Sequence, residues 1–240
     1  MTAHERIPYD VYFTPQALAD WAVVRAVALA GAIGRADPLE LWEPGCGELA
    51  PFCDAGARLG CRVLGFDLRD FPRPEVNPDQ AFTFQGGVDY EQGISHGISS
   101  ETDRAFSDTP DIVITNPPFS LALPFVRQML RDVSPDGVVG LLARSAFLAG
   151  VARYELFATW PPVEQWSCVR RPSFAHGGTE RAQEYAVLFW VGARLHARLR
   201  ALGRDELRTR WIDEKALSTA ADAVGRPPRP SKARGTDEHL

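Results

Sequence analysis

Leu39-Glu40-Leu41-Trp42-Glu43-Pro44-Gly45-Cys46-Gly47 is a short, mostly apolar run that stops at a proline and a pair of glycines. Behind it, Leu49, Phe52, Cys53 and Gly56 recur at the i, i+3, i+4, i+7 spacing of one helix face. The stretch predicts strand, glycine turn, helix, the opening unit of a sheet wound with helices. A turn of this kind lets a ligand approach bare backbone, with the N–H groups of a helix behind it.

The same alternation continues on both sides. Thr14-Pro15 is a helix-start signal, the hydroxyl capping free N–H groups and the proline tolerated in the first turn, and it predicts a helix over 15–32. Strands are predicted over 62–67, 82–85, 111–115 and 138–142, with a helix over 121–132 and the turn Ser134-Pro135-Asp136-Gly137 between the last two. Residues 164–169 and 185–191 read as late strands. The pattern predicts an α/β fold: a doubly wound, mostly parallel, seven-stranded sheet closed by a late antiparallel hairpin. Residues 1–192 form the domain, 193–225 an arginine-rich helical extension, and 226–240, with Arg226-Pro-Pro-Arg-Pro-Ser-Lys232, a disordered tail. Residues 91–109, rich in Gly, Ser and acids, read as a surface loop.

At 240 residues the chain suits one α/β domain, and its formal charge of −5 gives no global attraction to a polyanion. Any nucleic-acid binding has to come from a local basic face. No apolar stretch reaches membrane-spanning length and the start lacks a signal peptide's apolar core, so a soluble, cytoplasmic protein without membrane contact is expected. Cys46, Cys53, Cys61 and Cys168 have neither Cys-x-x-Cys nor His at ligand spacing, so reduced thiols and no metal are expected.

Asp67 lies twenty residues past Gly47 at the end of the next predicted strand, where a carboxylate can accept from both hydroxyls of a ribose. The third glycine of a dinucleotide turn is missing, Leu49 standing in its place. Glu43, just before the turn, suits a ligand carrying ammonium or sulfonium better than one carrying phosphates. S-adenosylmethionine fits this turn better than a nicotinamide cofactor.

Residues 111–119, Asp-Ile-Val-Ile-Thr-Asn-Pro-Pro-Phe, bring an amide and an aromatic ring to the end of an apolar strand. Pro117 and Pro118 stiffen the corner and hold Asn116 and Phe119 in fixed directions. The amide and the ring can clamp a flat group with a polar edge. Glu43-Pro44-Gly45-Cys46-Gly47, Asp67, Asp89 and Asn116-Pro117-Pro118-Phe119, in this order, resemble the motifs of class I S-adenosylmethionine-dependent amino-methyltransferases, most of all the adenine-specific DNA enzymes. Phe13-Thr14-Pro15 matches the motif those enzymes place beside the methionine carboxylate, and the resemblance runs over residues 8–192. Leu49, where many members carry glycine, departs from it.

The resemblance implies a Rossmann-like fold and a binding site for S-adenosylmethionine, with S-adenosylhomocysteine as product. Glu43, Pro44, Gly45 and Gly47 would lie along the methionine moiety, Phe13 and Thr14 at its carboxylate, Asp67 at the ribose, and Asp89 with Tyr90 at the adenine. Asn116, with Pro117 and Pro118, would bind and activate the exocyclic amino group of a flipped adenine, and Phe119 would stack on the base. In the resembled enzymes a loop in the place of Arg170-Arg171-Pro172-Ser173-Phe174 closes on that base, so Phe174 would pack on it and Arg170 and Arg171 would touch phosphate. DNA is the expected partner and RNA the nearest competitor. A glutamine amide in a protein release factor is a further alternative, though those enzymes usually carry Tyr at the position of Phe119. A silent binding subunit of the same fold and an oxidoreductase complete the alternatives.

Overall fold

The computed structural model describes residues 14–31, 37–70, 82–90, 106–169, 184–213 and 217. Eight strands are described: β1 (Glu40–Pro44), β2 (Arg62–Phe66), β3 (Thr83–Gln85), β4 (Ile112–Thr115), β5 (Val138–Arg144), β6 (Glu164–Cys168), β7 (Tyr185–Val191) and β8 (Arg208–Ile212). They form one sheet in the order β3-β2-β1-β4-β5-β7-β6-β8. The described helices are α1 (Gln16–Ala30), α2 (Pro51–Arg58), α3 (Ala122–Asp132), α4 (Val151–Thr159) and α5 (Ala193–Ala201).

β1 to β5 run parallel, β7 pairs antiparallel with both β5 and β6, and β8 returns parallel to β6. Among the described strands β7 alone points against the rest. The chain winds outward from β1 through β2 to β3, then crosses back to place β4 on the other flank of β1. That reversal makes the carboxyl ends of β1 and β4 the switch point of the sheet, outside which open α/β folds hold ligands in a crevice.

Strand residues alternate between two apolar layers. Leu41, Ile112, Ile114, Val138 and Phe189 face α1 and α2, whereas Trp42, Leu64, Phe66, Val113, Leu141 and Trp190 face α3 and α4. Sequence and structure meet here: strands buried on both faces are continuously apolar, as β4 and β5 are. α1 is tied to β6 by Arg25, whose Nε donates to Glu164 Oε2 at 2.7 Å, and by an edge-on contact of Trp21 with Trp166 at 4.9 Å. Burial alone would raise the Glu164 carboxyl, but Arg25 and Trp166 outweigh it and hold it below the ordinary range.

Two expectations need correction. The sheet has an eighth strand, β8, inside the stretch read as helical. α5 stops at Ala201 because Gly203, at φ 63°, reverses the backbone while its N–H and that of Arg204 return to helix carbonyls. Released from the helix, Arg208–Ile212 pairs with β6 and drops Ile212 into the core. Thr14 is not a helix cap either: Pro15 holds the N-cap position without a side-chain bond, and the Thr14 hydroxyl is used elsewhere. The proposed tail, 226–240, lies outside the described residues, as does 91–105 of the expected loop. Ser107 in the remainder donates from N and Oγ to Glu40 at the start of β1. No described helix is long and apolar enough to cross a membrane.

Candidate active site

The glycine turn is stapled to the neighbouring strand. N–H groups of Gly45 and Cys46 both donate to the Phe66 carbonyl, at 2.7 and 3.1 Å. Gly45 and Gly47 hold φ of 64° and 66°, a left-handed conformation that a Cβ makes costly. Beside Gly45 the space is tight as well, since a Cβ there would come within 3.3 Å of the Phe125 ring, whereas one on Gly47 would meet nothing within 4 Å. The turn therefore offers open backbone at Gly47 against a packed wall at Gly45.

Asp67 closes the turn from the side. Only 6% exposed, it accepts from Gly47 N at 3.0 Å through one oxygen and from Arg69 N at 2.9 Å through the other. Two residues that the sequence places twenty apart are thus one hydrogen-bonded unit at the ends of β1 and β2. Val88 N donates to the Asp67 carbonyl at 3.0 Å, so the half-buried Asp89, next in the chain, borders the same rim.

Glu43 sits deeper than its expected role along a ligand suggests. It is 2% exposed, and Oε2 accepts from Cys53 N at 2.7 Å in the first turn of α2. Burial pushes its carboxyl up to about 8, opposed by the bonds from Cys53 and Phe52. A carboxyl held at a helix N-terminus answers the free N–H groups there. The Cys46 and Cys53 thiols adjoin it, both raised, Cys53 chiefly by burial.

Tyr90 is likewise not at the open rim. Its ring, 3% exposed, packs on Phe66 at 5.4 Å and on Phe125 at 5.2 Å, behind Gly45. Its hydroxyl donates to Asp132 Oδ2 at 2.8 Å, and burial pushes the phenol well up, so it stays a donor. The residue supports the wall of the turn from within the core.

On the other side of the crevice, Thr115 Oγ1 donates to the Pro44 carbonyl at 2.6 Å and locks the end of β4 against the end of β1. Asn116 follows directly and donates from Nδ2 to Thr14 Oγ1 at 3.1 Å, Thr14 being 8% exposed. Pro118, at φ −49° and ψ 132°, leads into a 3-10 turn, Phe119–Leu121, closed by Leu121 N donating to the Pro118 carbonyl at 2.8 Å. Phe119 meets the Tyr185 ring at 5.8 Å, and the Arg144 guanidinium lies over its face, 3.9 Å from the centroid.

Thr14 with Asn116, Gly47 with Asp67, Gly45 with Phe66 and Pro44 with Thr115 are therefore joined at the ends of β1, β2 and β4, with Asp89 and Phe119 next to them in the chain and Glu43 and Tyr90 set behind. Phe13, Arg170, Arg171 and Phe174 lie outside the described residues. Sequence reasoning missed Arg144 and Tyr185. The signal was present: Arg144 is a lone charge ending the apolar β5, and Tyr185 is its register partner on β7.

No family model matches the chain, and no curated protein matches it. Solved structures do. A putative class I S-adenosylmethionine-dependent methyltransferase from Listeria monocytogenes is 14% identical over 92% of this chain and 72% of its own, with a TM-score of 0.59. The methyltransferase subunit of a type I restriction-modification system from Streptococcus thermophilus is 13% identical over 76% of this chain and 44% of its own, with a TM-score of 0.55. A putative RNA methyltransferase from Pyrococcus horikoshii is 16% identical over 77% and 88%, with a TM-score of 0.55. The likeness establishes the fold, that of the class I methyltransferases. The chain spans less than half the length of the restriction-modification subunit.

Proposed function

We propose that this chain is an S-adenosylmethionine-dependent amino-methyltransferase acting on the exocyclic amino group of adenine, with DNA as the substrate. The observation that carries the reading is the meeting of two motifs in the crevice. Thr14 and Asn116 are hydrogen-bonded beside the ends of β1 and β4, where Asp67 and Gly47 make the neighbouring unit.

The residues present fit the cofactor. Gly47 offers backbone with open space where a side chain would stand, and Asp67 supplies carboxylate oxygens beside it, suited to the hydroxyls of a ribose. Glu43, raised to about 8 by burial, lies behind the turn and holds the first turn of α2 through Cys53 N. When bound, the cofactor supplies an electrophilic methyl on a positively charged sulfur.

The adenine amino group is a poor nucleophile because its lone pair is drawn into the ring. Asn116 Nδ2 donates to Thr14, which fixes the orientation of the amide, and in this reading its buried Oδ1 accepts one amino N–H and the Pro117 carbonyl the second. Two acceptors at a stiff corner draw the nitrogen towards tetrahedral geometry and aim its lone pair. This is catalysis by orientation and preorganised dipoles, without a covalent enzyme intermediate.

Incubation with methyl-labelled S-adenosylmethionine and separate DNA, RNA and protein pools, followed by nucleoside and amino-acid analysis, tests the reading. Label in N6-methyldeoxyadenosine is expected. Label confined to RNA would move the substrate, and label in glutamine, or none with any pool, would overturn the proposal.

A further inference from the structure

A chain with a formal charge of −5 can meet a polyanion only through a local basic face, and α5 with β8 supplies one. Residues 193–213 carry six arginines against Asp205, Glu206 and Asp213, a formal +3, which leaves −8 for the rest of the chain. The arginines divide by place. On α5, Arg194 and Arg198 are paired with Asp136, and Arg200 with Asp205. Arg204 and Arg208 form no ion pair among the described residues, and Arg210 lies over the Trp166 ring at 5.4 Å. Strand alternation then sets Arg208 and Arg210 on one face of β8 and Trp211, 68% exposed, on the other.

Topology brings this edge to the rim of the candidate site. Because β7 alone runs against the other described strands, β8 ends on the same side of the sheet as β1 and β4. Four strand spacings of about 4.8 Å separate β8 from β4, about 19 Å in all, the length of between five and six base pairs.

We infer that β8 is a nucleic-acid-binding edge, on which Arg208 and Arg210 meet successive phosphates of the strand that carries the acceptor base and Trp211 stacks an unpaired base beside them. The inference deepens the reading above and rests on it for the partner. The two arginines stand about 7 Å apart along the strand, close to the spacing of neighbouring phosphates on an extended chain. An outermost strand leaves both its faces reachable, so a nucleic-acid strand laid along it can set its backbone on the arginine side and turn a base over to the indole. Positive charge alone would suit an acidic protein or an anionic membrane equally. The bare indole among the cations favours a nucleic acid, since every base offers a flat face to it.

The test is fluorescence polarisation of a labelled single-stranded oligodeoxynucleotide of mixed sequence, titrated with the full chain at several salt concentrations between about 50 and 200 mM. Trp211→Ala should bind about tenfold more weakly and Trp211→Phe close to wild type. The double variant Arg208→Gln/Arg210→Gln should lower the slope of log affinity against log salt by about 1.4, the value for two phosphate contacts on a single strand. Arg127→Gln/Arg131→Gln removes the same charge from α3 and should leave that slope as in wild type. Wild-type affinity in Trp211→Ala overturns the inference, and so does an equal slope change in both double variants, which would reduce the effect to net charge. Binding of wild type to phosphatidylserine vesicles and not to the oligonucleotide overturns it as well. Nucleobase methylation by a wild type whose β8 variants all bind normally sinks only this inference, whereas binding through Trp211 without methylation of any base sinks only the functional reading.

Discussion

Asn116 and Thr14, 102 positions apart in the chain, share a hydrogen bond of 3.1 Å from the amide Nδ2 to the hydroxyl oxygen. The bond turns the amide so that its oxygen is the end presented away from Thr14. A helix-start residue thereby orients the proposed catalytic acceptor on β4's far end.

Replacing Asn116 by Ala removes an acceptor proposed to act on the developing transition state. Turnover should fall by about 10²–10³-fold, as for loss of one preorganised polar group, while S-adenosylmethionine affinity stays near wild type. Single-turnover kinetics with saturating cofactor reads this, and wild-type turnover in Asn116→Ala would falsify the mechanism.

Thr14→Val keeps the shape and deletes the oxygen that receives Nδ2. The cost in stability is about 1 kcal/mol, that of one hydrogen bond, but the freed amide can rotate and present its nitrogen. Turnover should drop with little change in thermal midpoint. Parallel losses of midpoint and activity would instead mark Thr14 as a support of the fold.

Asp67→Ala should act on the other half of the site. It deletes the acceptor of Gly47 N and the proposed partner of the ribose, so cofactor affinity should fall by tens of fold, the equivalent of about 2 kcal/mol in bonds to a charged group. Calorimetric titration with S-adenosylhomocysteine checks it, and unchanged affinity would remove Asp67 from the site.

Glu43 predicts a pH dependence whose sign follows from burial. Its folded carboxyl is raised from 4.5 to about 8, so between those values the folded chain holds a proton that the unfolded chain has lost. The contribution to stability is full below pH 4.5, declines as pH rises and levels off above about 8, over a span of a few kcal/mol. Glu43→Gln should flatten this slope in denaturant titrations at pH 5.5, 7 and 8.5, and an equal slope in both proteins would refute the assignment.

Gly45→Ala and Gly47→Ala separate two effects at one turn. Both force a Cβ into left-handed backbone, at about 1–2 kcal/mol, but only the first also presses on Phe125. Gly45→Ala should therefore be the less stable of the two in urea unfolding.

Strands with strong apolar character were legible from sequence because burial on both faces leaves little choice of residue. β7 lies where 185–191 was read, and β5 only extends two residues further, to Arg144. The extra strand was not legible, because Arg208-Thr-Arg-Trp-Ile has three of its five residues exposed and looks like a charged helix continuing past Gly203. Its identity as a strand comes from β6, a partner more than forty residues away. In the site, the order Gly45, Gly47, Asp67, Asn116 was readable because each residue ends a strand. The depths of Glu43 and Tyr90 were not: whether a strand-end side chain faces the crevice or the helix behind it depends on packing against α2 and α3. Arg144 was passed over for the same reason, since its meaning lies in what it covers.

β8 has β6 on one side and no strand on the other among the described residues, with Trp211 68% exposed. An open flank of that kind is a template for another chain's backbone. Here the flank carries Arg208 and Arg210, the latter lying over the Trp166 ring of β6 at 5.4 Å. Removing the strand would leave the edge of β6, with Trp166, in its place.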